Sequence, residues 1–341
     1  MGVAFKDLIP GKEVEIKDFN GEILAVDTFN LLYQFLSSIR SRDGSLLMDS
    51  NGNVTSHLVG LFSRVSNLMN QNLKLVFVFD GEPPELKQRE RERRKSLKIK
   101  AQKEYEKAKE GGDVDSMKKY ASRTSRLTPE MVDEAKNLIK CMGLPIVQAP
   151  SEGEAQAAYI AKKEKGVVVS QDYDSLLYGS PKLLRNLSIL GKRKQNNKLS
   201  YSVVKPEVIT FADALNNLTI DNDQLIVLSM LIGTDYNPGG IKGIGPKNAL
   251  TLVKKYSKDF ESLFNEVKWD DFFDFKWTEV YYLFKNMPVT NDYKLEWKKI
   301  NIEELKKFLL DHDFSEERIR SALEKLQKKE DAKKQMSLGD F

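Results

Sequence analysis

The sequence predicts an α/β fold with a mostly parallel central sheet flanked by helices. Two observations carry that expectation. Short apolar runs of strand length alternate with segments of helical periodicity, the pattern of βαβ units. Three of these runs end in aspartate, which is where open parallel sheets carry their ligands. The chain has 341 residues, 40% of them hydrophobic, enough for a sizeable core in one large or two smaller domains.

In chain order, "EILAVD" (22–27) leads into the helical "TFNLLYQFLSSIR". "SHLVGLFSRVSNLMNQN" precedes the strand run "LKLVFVFDG" (73–81), and "EGEAQAAYIAKKEK" precedes "GVVVSQDYD" (166–174). Between them lies "QRERERRKSLKIKAQKEYEKAKEGGDVDSMKKYASRTSRL", polar on all sides and broken by Gly111-Gly112. It reads as two helices around a glycine break, a charged hairpin on the surface. "LTPEMVDEAKNLIKCMG" reads as a helix with Thr128 as N-cap, Pro129 at its first position and Gly143 ending it. From about 205 to 325 the pattern is mostly helical, with "LSYSVV" just before it as one further possible strand.

Composition excludes several classes. No apolar run is long enough for a transmembrane helix, and "MGVAFKDLIPGKEVEI" lacks the apolar core of a signal peptide. A single cysteine, Cys141, rules out an internal disulfide and fits a reducing compartment. Two histidines, His57 and His312, with that cysteine make a Cys/His zinc site a poor expectation. Charge is uneven: residues 87–126 carry 15 Lys+Arg against 7 Asp+Glu, so that segment is at +8 and the remainder of this +4 chain at −4.

The strand-end carboxylates are Asp27, Asp80, Asp172 and Asp174, the last two placed on one side of an extended strand by its alternation. Glu152 and Glu154 follow in "APSEGEAQAA", and Asp235 in "LIGTDYNPGG". Each has an ordinary reading alone: glutamates at a helix start capped by Ser151, or an aspartate opening a turn before Asn-Pro. Four or more anions at one sheet edge repel unless a cation neutralises them. Oxygen ligands favour Mg²⁺, with Mn²⁺ able to substitute. Beside a basic segment, such a set points to phosphodiester hydrolysis by two ions about 4 Å apart. Further on, "GGIKGIGPKNALTLV" (239–253) looks like a helix-hairpin-helix turn. Gly240, Gly243 and Gly245 would let backbone N–H groups approach a phosphate, with Lys247 adding charge; an ordinary glycine-rich connection is the alternative.

Seven motifs in this order resemble the archaeal and eukaryotic flap endonucleases: "MGV", "VDTFNLLYQFLSSIR", "TSHLVGLFSR", "FVFDGEPPELK", "APSEGEAQAAY", "SQDYDSLLYG" and "IGTDYNPGGIKGIGPKNAL". They span nearly the whole chain, and the short C-terminus resembles archaeal members. The resemblance implies one metal cluster held by Asp27, Asp80, Glu152, Glu154, Asp172, Asp174 and Asp235, all seven positions being carboxylates here. It implies that Lys87 and Arg94, on a helical arch over 82–130, hold the scissile phosphate. Tyr33 matches an aromatic on which a base stacks, though a helix-face core tyrosine is the plain alternative. Gly2 matches a glycine near the metals and Arg40 a basic residue at the substrate junction.

What the resemblance implies is a Mg²⁺-dependent, structure-specific 5′-flap endonuclease with 5′–3′ exonuclease activity. It would recognise DNA with a 5′ flap or nick by shape and act in Okazaki-fragment maturation and repair. The alternatives are a non-catalytic junction binder or clamp-recruited scaffold, and a ribonuclease or phosphatase using the same kind of site. The implied layout is a nuclease domain over 1–325, with catalytic parts 1–110 and 120–255 and a helix-hairpin-helix at 233–255. A flexible tail follows over 326–341. There Gln335, Leu338 and Phe341 match a sliding-clamp-binding box that stops before its second aromatic; a tail with a stray Phe is the alternative. The protein would be monomeric by itself, away from membranes, and cytoplasmic in an archaeon or nuclear in a eukaryote.

Overall fold

The computed structural model describes residues 3, 5–41, 43–121, 123–187, 191–194 and 201–338. Side chains at 114, 118, 191–194, 201–203 and 328–338 lie outside that description. The elements are β1 (Lys12–Glu13), β2 (Ile23–Asp27), α1 (Thr28–Ser38), α2 (Ser56–Met69), β3 (Lys74–Phe79), α3 (Gln88–Glu110) and α4 (Val114–Ala121). Then come α5 (Pro129–Cys141), β4 (Ile146–Gln148), α6 (Gly153–Lys163), β5 (Val167–Val169), α7 (Asp174–Leu177), β6 (Lys182–Arg185), β7 (Gly191–Lys194), β8 (Tyr201–Val204) and β9 (Glu207–Thr210). The remainder is helical: α8 (Phe211–Leu218), α9 (Asn222–Ile232), α10 (Pro246–Tyr256), α11 (Phe260–Glu266), α12 (Trp277–Lys285), α13 (Ile302–Asp311) and α14 (Glu316–Leu338).

Seven strands form one sheet in the order β1-β9-β6-β5-β2-β3-β4, parallel from β6 to β4 and closed at the other edge by antiparallel β9 and β1. Strand alternation divides the core in two. Ala25, Val76, Val78 and Val168 face the side covered by α6 and α7 to α12. Leu24, Val26, Leu75, Phe77, Phe79, Val167 and Val169 face α1, α2, α5, α13 and α14. With both faces covered, these strands read as continuous apolar runs, which is why three of them were legible in the sequence.

The structure corrects several expectations. β9 is a strand inside the stretch expected to be mostly helical; it is four residues long and half-buried, too short for a period to show. "LSYSVV" does hold a strand, β8, which pairs with β7 in a separate two-stranded ribbon. The glycine break holds as expected, with α3 and α4 packed on each other as a hairpin. The tail is helical as far as Leu338, where a flexible segment from 326 was expected. Its Lys/Glu-rich composition has good helix propensity, and Ile319 and Leu323 anchor the helix in the core. No helix among the described residues is long and apolar enough to cross a membrane.

An extended segment, residues 288–301, ties the two covered faces together. Thr290 N–H donates to Gln156 Oε1 on α6 (2.7 Å), Trp297 Nε1 to the Leu75 carbonyl of β3 (3.0 Å) and Lys298 N–H to the Gly143 carbonyl (2.8 Å). Thr128 caps α5 as expected, accepting from Met131 N–H. Gly143 follows that helix at φ +73°, and a Cβ there would run into the Lys298 carbonyl. Gly112, in the hairpin turn, is also left-handed (φ +68°) but faces open space. Gly112→Ala is therefore expected to cost about 1–2 kcal/mol from backbone strain alone. Gly143→Ala adds a clash with backbone and should cost about 3 kcal/mol or more. Urea denaturation of the two variants checks the difference; equal losses would mean that the strap is not rigid at Gly143.

Candidate active site

The carboxyl ends of β2, β3 and β5 open onto one edge, and each delivers its carboxylate differently. Asp27 ends β2 and caps α1, its Oδ1 accepting from Asn30 N–H at 3.1 Å. Asp80 follows β3 and accepts the N–H of Gly153, the first residue of α6, at 2.6 Å. The α6 start is not capped by Ser151, whose hydroxyl donates to the Glu82 carbonyl. Glu152 occupies the cap position without capping, and Glu154 sits in the first turn, at the positive end of the helix.

The pair at the end of β5 differs from the expected geometry. The strand stops at Val169, Asp172 lies in the following turn, and Asp174 opens the short helix α7. A turn and a helix start, not strand alternation, bring the two together. Asp172 accepts from Asn30 Nδ2 (2.9 Å) and Asp174 from the Val3 N–H (2.8 Å), which draws the N-terminal segment to the site. Gly2 itself lies outside the described residues.

Asp235 is not the turn-former that its sequence context allowed. The turn after α9 is made by its neighbours: Thr234 Oγ1 donates to Asn237 Oδ1 (2.6 Å), and Asn237 Nδ2 to the Met230 carbonyl (2.7 Å). That leaves the Asp235 carboxylate facing the base of α3. Arg94 Nη2 donates to it at 2.5 Å, and the Lys87 ammonium lies 3.6 Å away while donating to Glu152 at 2.5 Å. Two cations of the basic segment thus lie against the carboxylates. Among the described residues, no three carboxylates are already converged as a ready-made ligand set.

The electrostatics follow from this crowding. Burial first, then the charges of Asp80 and Asp172, push the Asp27 carboxyl up to about 8, against the Asn30 N–H and the Ser170 hydroxyl. Burial, Asp172 and Asp235 raise Asp174 to about 7, and burial with Asp174, Asp27 and Asp172 holds Glu154 well above the usual range. Asp80 and Glu152 are also raised by burial, with Lys87 opposing. Burial alone would lower Lys87, but Glu152, Asp235 and Asp80 outweigh it and keep it a firm cation. Below the cluster, Tyr178 and Tyr236 share a hydroxyl contact of 2.8 Å and are held neutral by burial.

The remaining expected residues divide. Tyr33 is 38% exposed on α1 and no core tyrosine; the Lys98 ammonium lies 4.8 Å from its ring centre. Arg40 does not reach the carboxylates. Its guanidinium joins the Leu36 and Gly44 carbonyls and the Ser125 hydroxyl, stapling the end of α1 to the chain beyond α4. Gly240 does not face outward either: it is buried, its N–H is bonded to the Asn237 carbonyl, and a Cβ would strike the Leu231 and Ile232 backbone. Gly243, Gly245 and Lys247 are exposed at the start of α10, with open space around both glycines. Gln335 and Leu338 fall on α14, but their side chains, and all of Phe341, lie outside the described residues.

Sequence reasoning missed Asn30, Ser170 and Glu90. Asn30 Nδ2 holds Asp172 while its Oδ1 accepts from Gln34 Nε2 (2.6 Å). Ser170 Oγ lies 3.2 Å from Asp27 Oδ2 and 3.3 Å from Glu154 Oε1. Neither stands out by residue type; Asn30 sits three residues after Asp27 on α1, a spacing that was the one available signal.

Residues 4–101 match the XPG N-terminal domain and residues 143–235 the XPG I-region. Flap endonuclease 1 of Thermococcus onnurineus is 50% identical over 340 residues, covering 99% of this chain and 98% of its own. That of Pyrococcus furiosus is 48% identical over 340 residues, again covering 99% and 98%. Among solved structures, the flap endonuclease-1 of Methanococcus jannaschii superposes with a TM-score of 0.74 at 41% identity, over 95% of this chain and 98% of that one. The catalytic core of Rad2, solved with a DNA substrate, shares the fold (TM-score 0.69, 22% identity, 96% and 100% covered). The chain belongs to the flap endonucleases, within the XPG-type nucleases.

Proposed function

We propose that the chain hydrolyses the phosphodiester at the base of a 5′ flap, leaving a 5′-phosphate and a 3′-hydroxyl, with bound Mg²⁺. The observation that carries this reading is the insertion of Lys87 and Arg94 among the carboxylates at one sheet edge. The donor set fits hard divalent ions: seven carboxylates, no sulfur, and buried anions whose mutual repulsion an ion would relieve. Such ions would acidify the attacking water and stabilise charge on the phosphate.

The chain's own part is positioning. Asp27, Asp80, Glu152, Glu154, Asp172, Asp174 and Asp235 form the metal-holding wall, with Asn30, Ser170 and the Val3 and Gly153 N–H groups fixing their orientation. Lys87 and Arg94 come from the arch side, where both would meet the phosphate oxygens and complete an electrostatic cradle. Tyr33, exposed beside Lys98, offers a stacking face to an unpaired base. Gly243, Gly245 and Lys247 offer backbone N–H groups and a charge to the duplex backbone. Recognition by shape follows from contacts of this kind, which carry no base readout. Gln335, Leu338 and Phe341 would dock on a sliding clamp, and a monomer suffices for every step. Replication and repair intermediates with 5′ flaps or nicks are the substrates this implies, with 5′–3′ exonuclease action as a secondary activity.

Labelled 5′-flap, 3′-flap, nicked and RNA substrates, each with Mg²⁺ and with EDTA, test the reading. Cleavage confined to 5′ flaps and nicks with Mg²⁺ is expected; equal cleavage of all would remove structure specificity. Lys87→Ala should slow single-turnover cleavage by about 100-fold or more, as for loss of one charge-stabilising donor, with little change in flap affinity. An effect confined to affinity would move Lys87 away from the phosphate.

A second prediction concerns protons. Asp27 and Asp174 have folded values of about 8 and 7, above the ordinary aspartate value of about 3.9. In that window the folded state binds more protons than the unfolded one, so metal-free stability falls as pH rises from about 4 to about 8. Asp174→Asn should flatten this slope and raise the melting temperature of the metal-free protein at pH 8, while abolishing cleavage. Mg²⁺ should raise the melting temperature of the unaltered chain more than that of the variant. An unchanged slope and an unchanged Mg²⁺ response would remove Asp174 from the metal site.

A further inference from the structure

The described buried residues of α3 are Glu90, Ala101 and Ala108, so Glu90 is the one charged group that this helix buries. Its carboxylate is 4% exposed and is fully engaged by two arginines of the same helix. Oε2 accepts from Arg93 Nε at 2.6 Å, while Oε1 accepts from Arg93 Nη2 at 2.8 Å and from Arg94 Nε at 2.6 Å. Glutamate–arginine pairs at i,i+3 and i,i+4 are ordinary on a solvated helix and contribute a few tenths of a kcal/mol. This one is different in its burial, and in what the second arginine does with its free end. Arg94 uses Nε for Glu90 and Nη2 for Asp235, so one planar guanidinium is held at two of its three nitrogens.

We propose that Glu90 is a positioning residue for the cleavage reaction, locking the Arg94 guanidinium so that its Nη edge points into the carboxylate cluster. The proposal rests on Arg94 meeting the scissile phosphate, as set out above. A guanidinium on a three-carbon stem otherwise sweeps a wide arc, and its fork is useful only when its plane is fixed. Fastening Nε fixes that plane and directs the Nη side, whose Nη2 already meets Asp235, toward the carboxylate cluster. The anion that fastens it must not itself occupy the phosphate position, and Glu90 meets this by taking only Nε and leaving both Nη nitrogens to the cluster side. Arg93, about half exposed, takes the remaining lone pairs of Glu90 and keeps the carboxylate charged. Arg93 thus supports the pair from behind without contacting Asp235.

The test is a mutant cycle on 5′-flap DNA with Mg²⁺, reading single-turnover rate and flap dissociation constant separately. Glu90→Ala is expected to lower the rate about 10- to 100-fold, the cost of misplacing a reacting-centre group by about 1 Å, with affinity changed less than about threefold. Glu90→Gln, which keeps the acceptor for Arg94 Nε, should recover most of the rate. In an Arg94→Ala background, Glu90→Ala should cost nothing further. An equal rate loss with and without Arg94 would overturn the proposal, as would a loss confined to affinity. If Arg94→Ala alone leaves the rate unchanged, it is the role of Arg94 that fails; circular dichroism of each variant separates both outcomes from loss of the arch helix.

Discussion

The site depends on carboxylates that the fold gathers at one sheet edge near enough to raise one another's proton affinity, Asp27 and Glu152 buried and the others partly so. The sheet cannot relax this repulsion: Asp27 is locked as the cap of α1, Asp80 to the first N–H of α6 and Asp174 to the N-terminal segment. Side chains on flexible loops would swing apart into solvent. Here the backbone that carries them continues from the buried strands β2, β3 and β5, so the strain appears as raised proton affinity at Asp27, Glu154 and Asp174.

The α3–α4 hairpin brings cations to the same edge. Lys87, at the N-cap position of α3, and Arg94 are seven residues, about two turns, apart at its base, close to one face. They lie against Glu152 and Asp235. Positive charge along the rest of the hairpin is exposed, as suits a frame around a polyanionic strand. The hairpin is therefore coupled to the carboxylate edge by ion pairs.

Much of this was legible in the chain. The three apolar runs were readable because strands buried on both faces need no polar alternation. The carboxylates were readable because they terminate those runs, and the glycine break because no helix crosses Gly111-Gly112. Strands of two to four residues, such as β1 and β9, left no periodic trace. Ser151 and Asp235 each had two chemically sound local roles, and local sequence cannot choose between a capping oxygen and one turned toward a partner 70 or 140 residues away.

The sequence by itself determined the residue types: an all-oxygen anionic set, a basic insertion, and glycines able to take left-handed backbone. Those are properties of composition and spacing, set before any folding. Only the tertiary structure decided which oxygens face which cations, that Gly240 is a packing glycine while Gly243 and Gly245 are open, that Arg40 is a staple, and that Glu90 grips Arg94 from behind. The reason is physical: a side chain's role is set by what competes for its polar atoms, and those competitors come from distant segments that only the folded sheet brings within hydrogen-bonding distance.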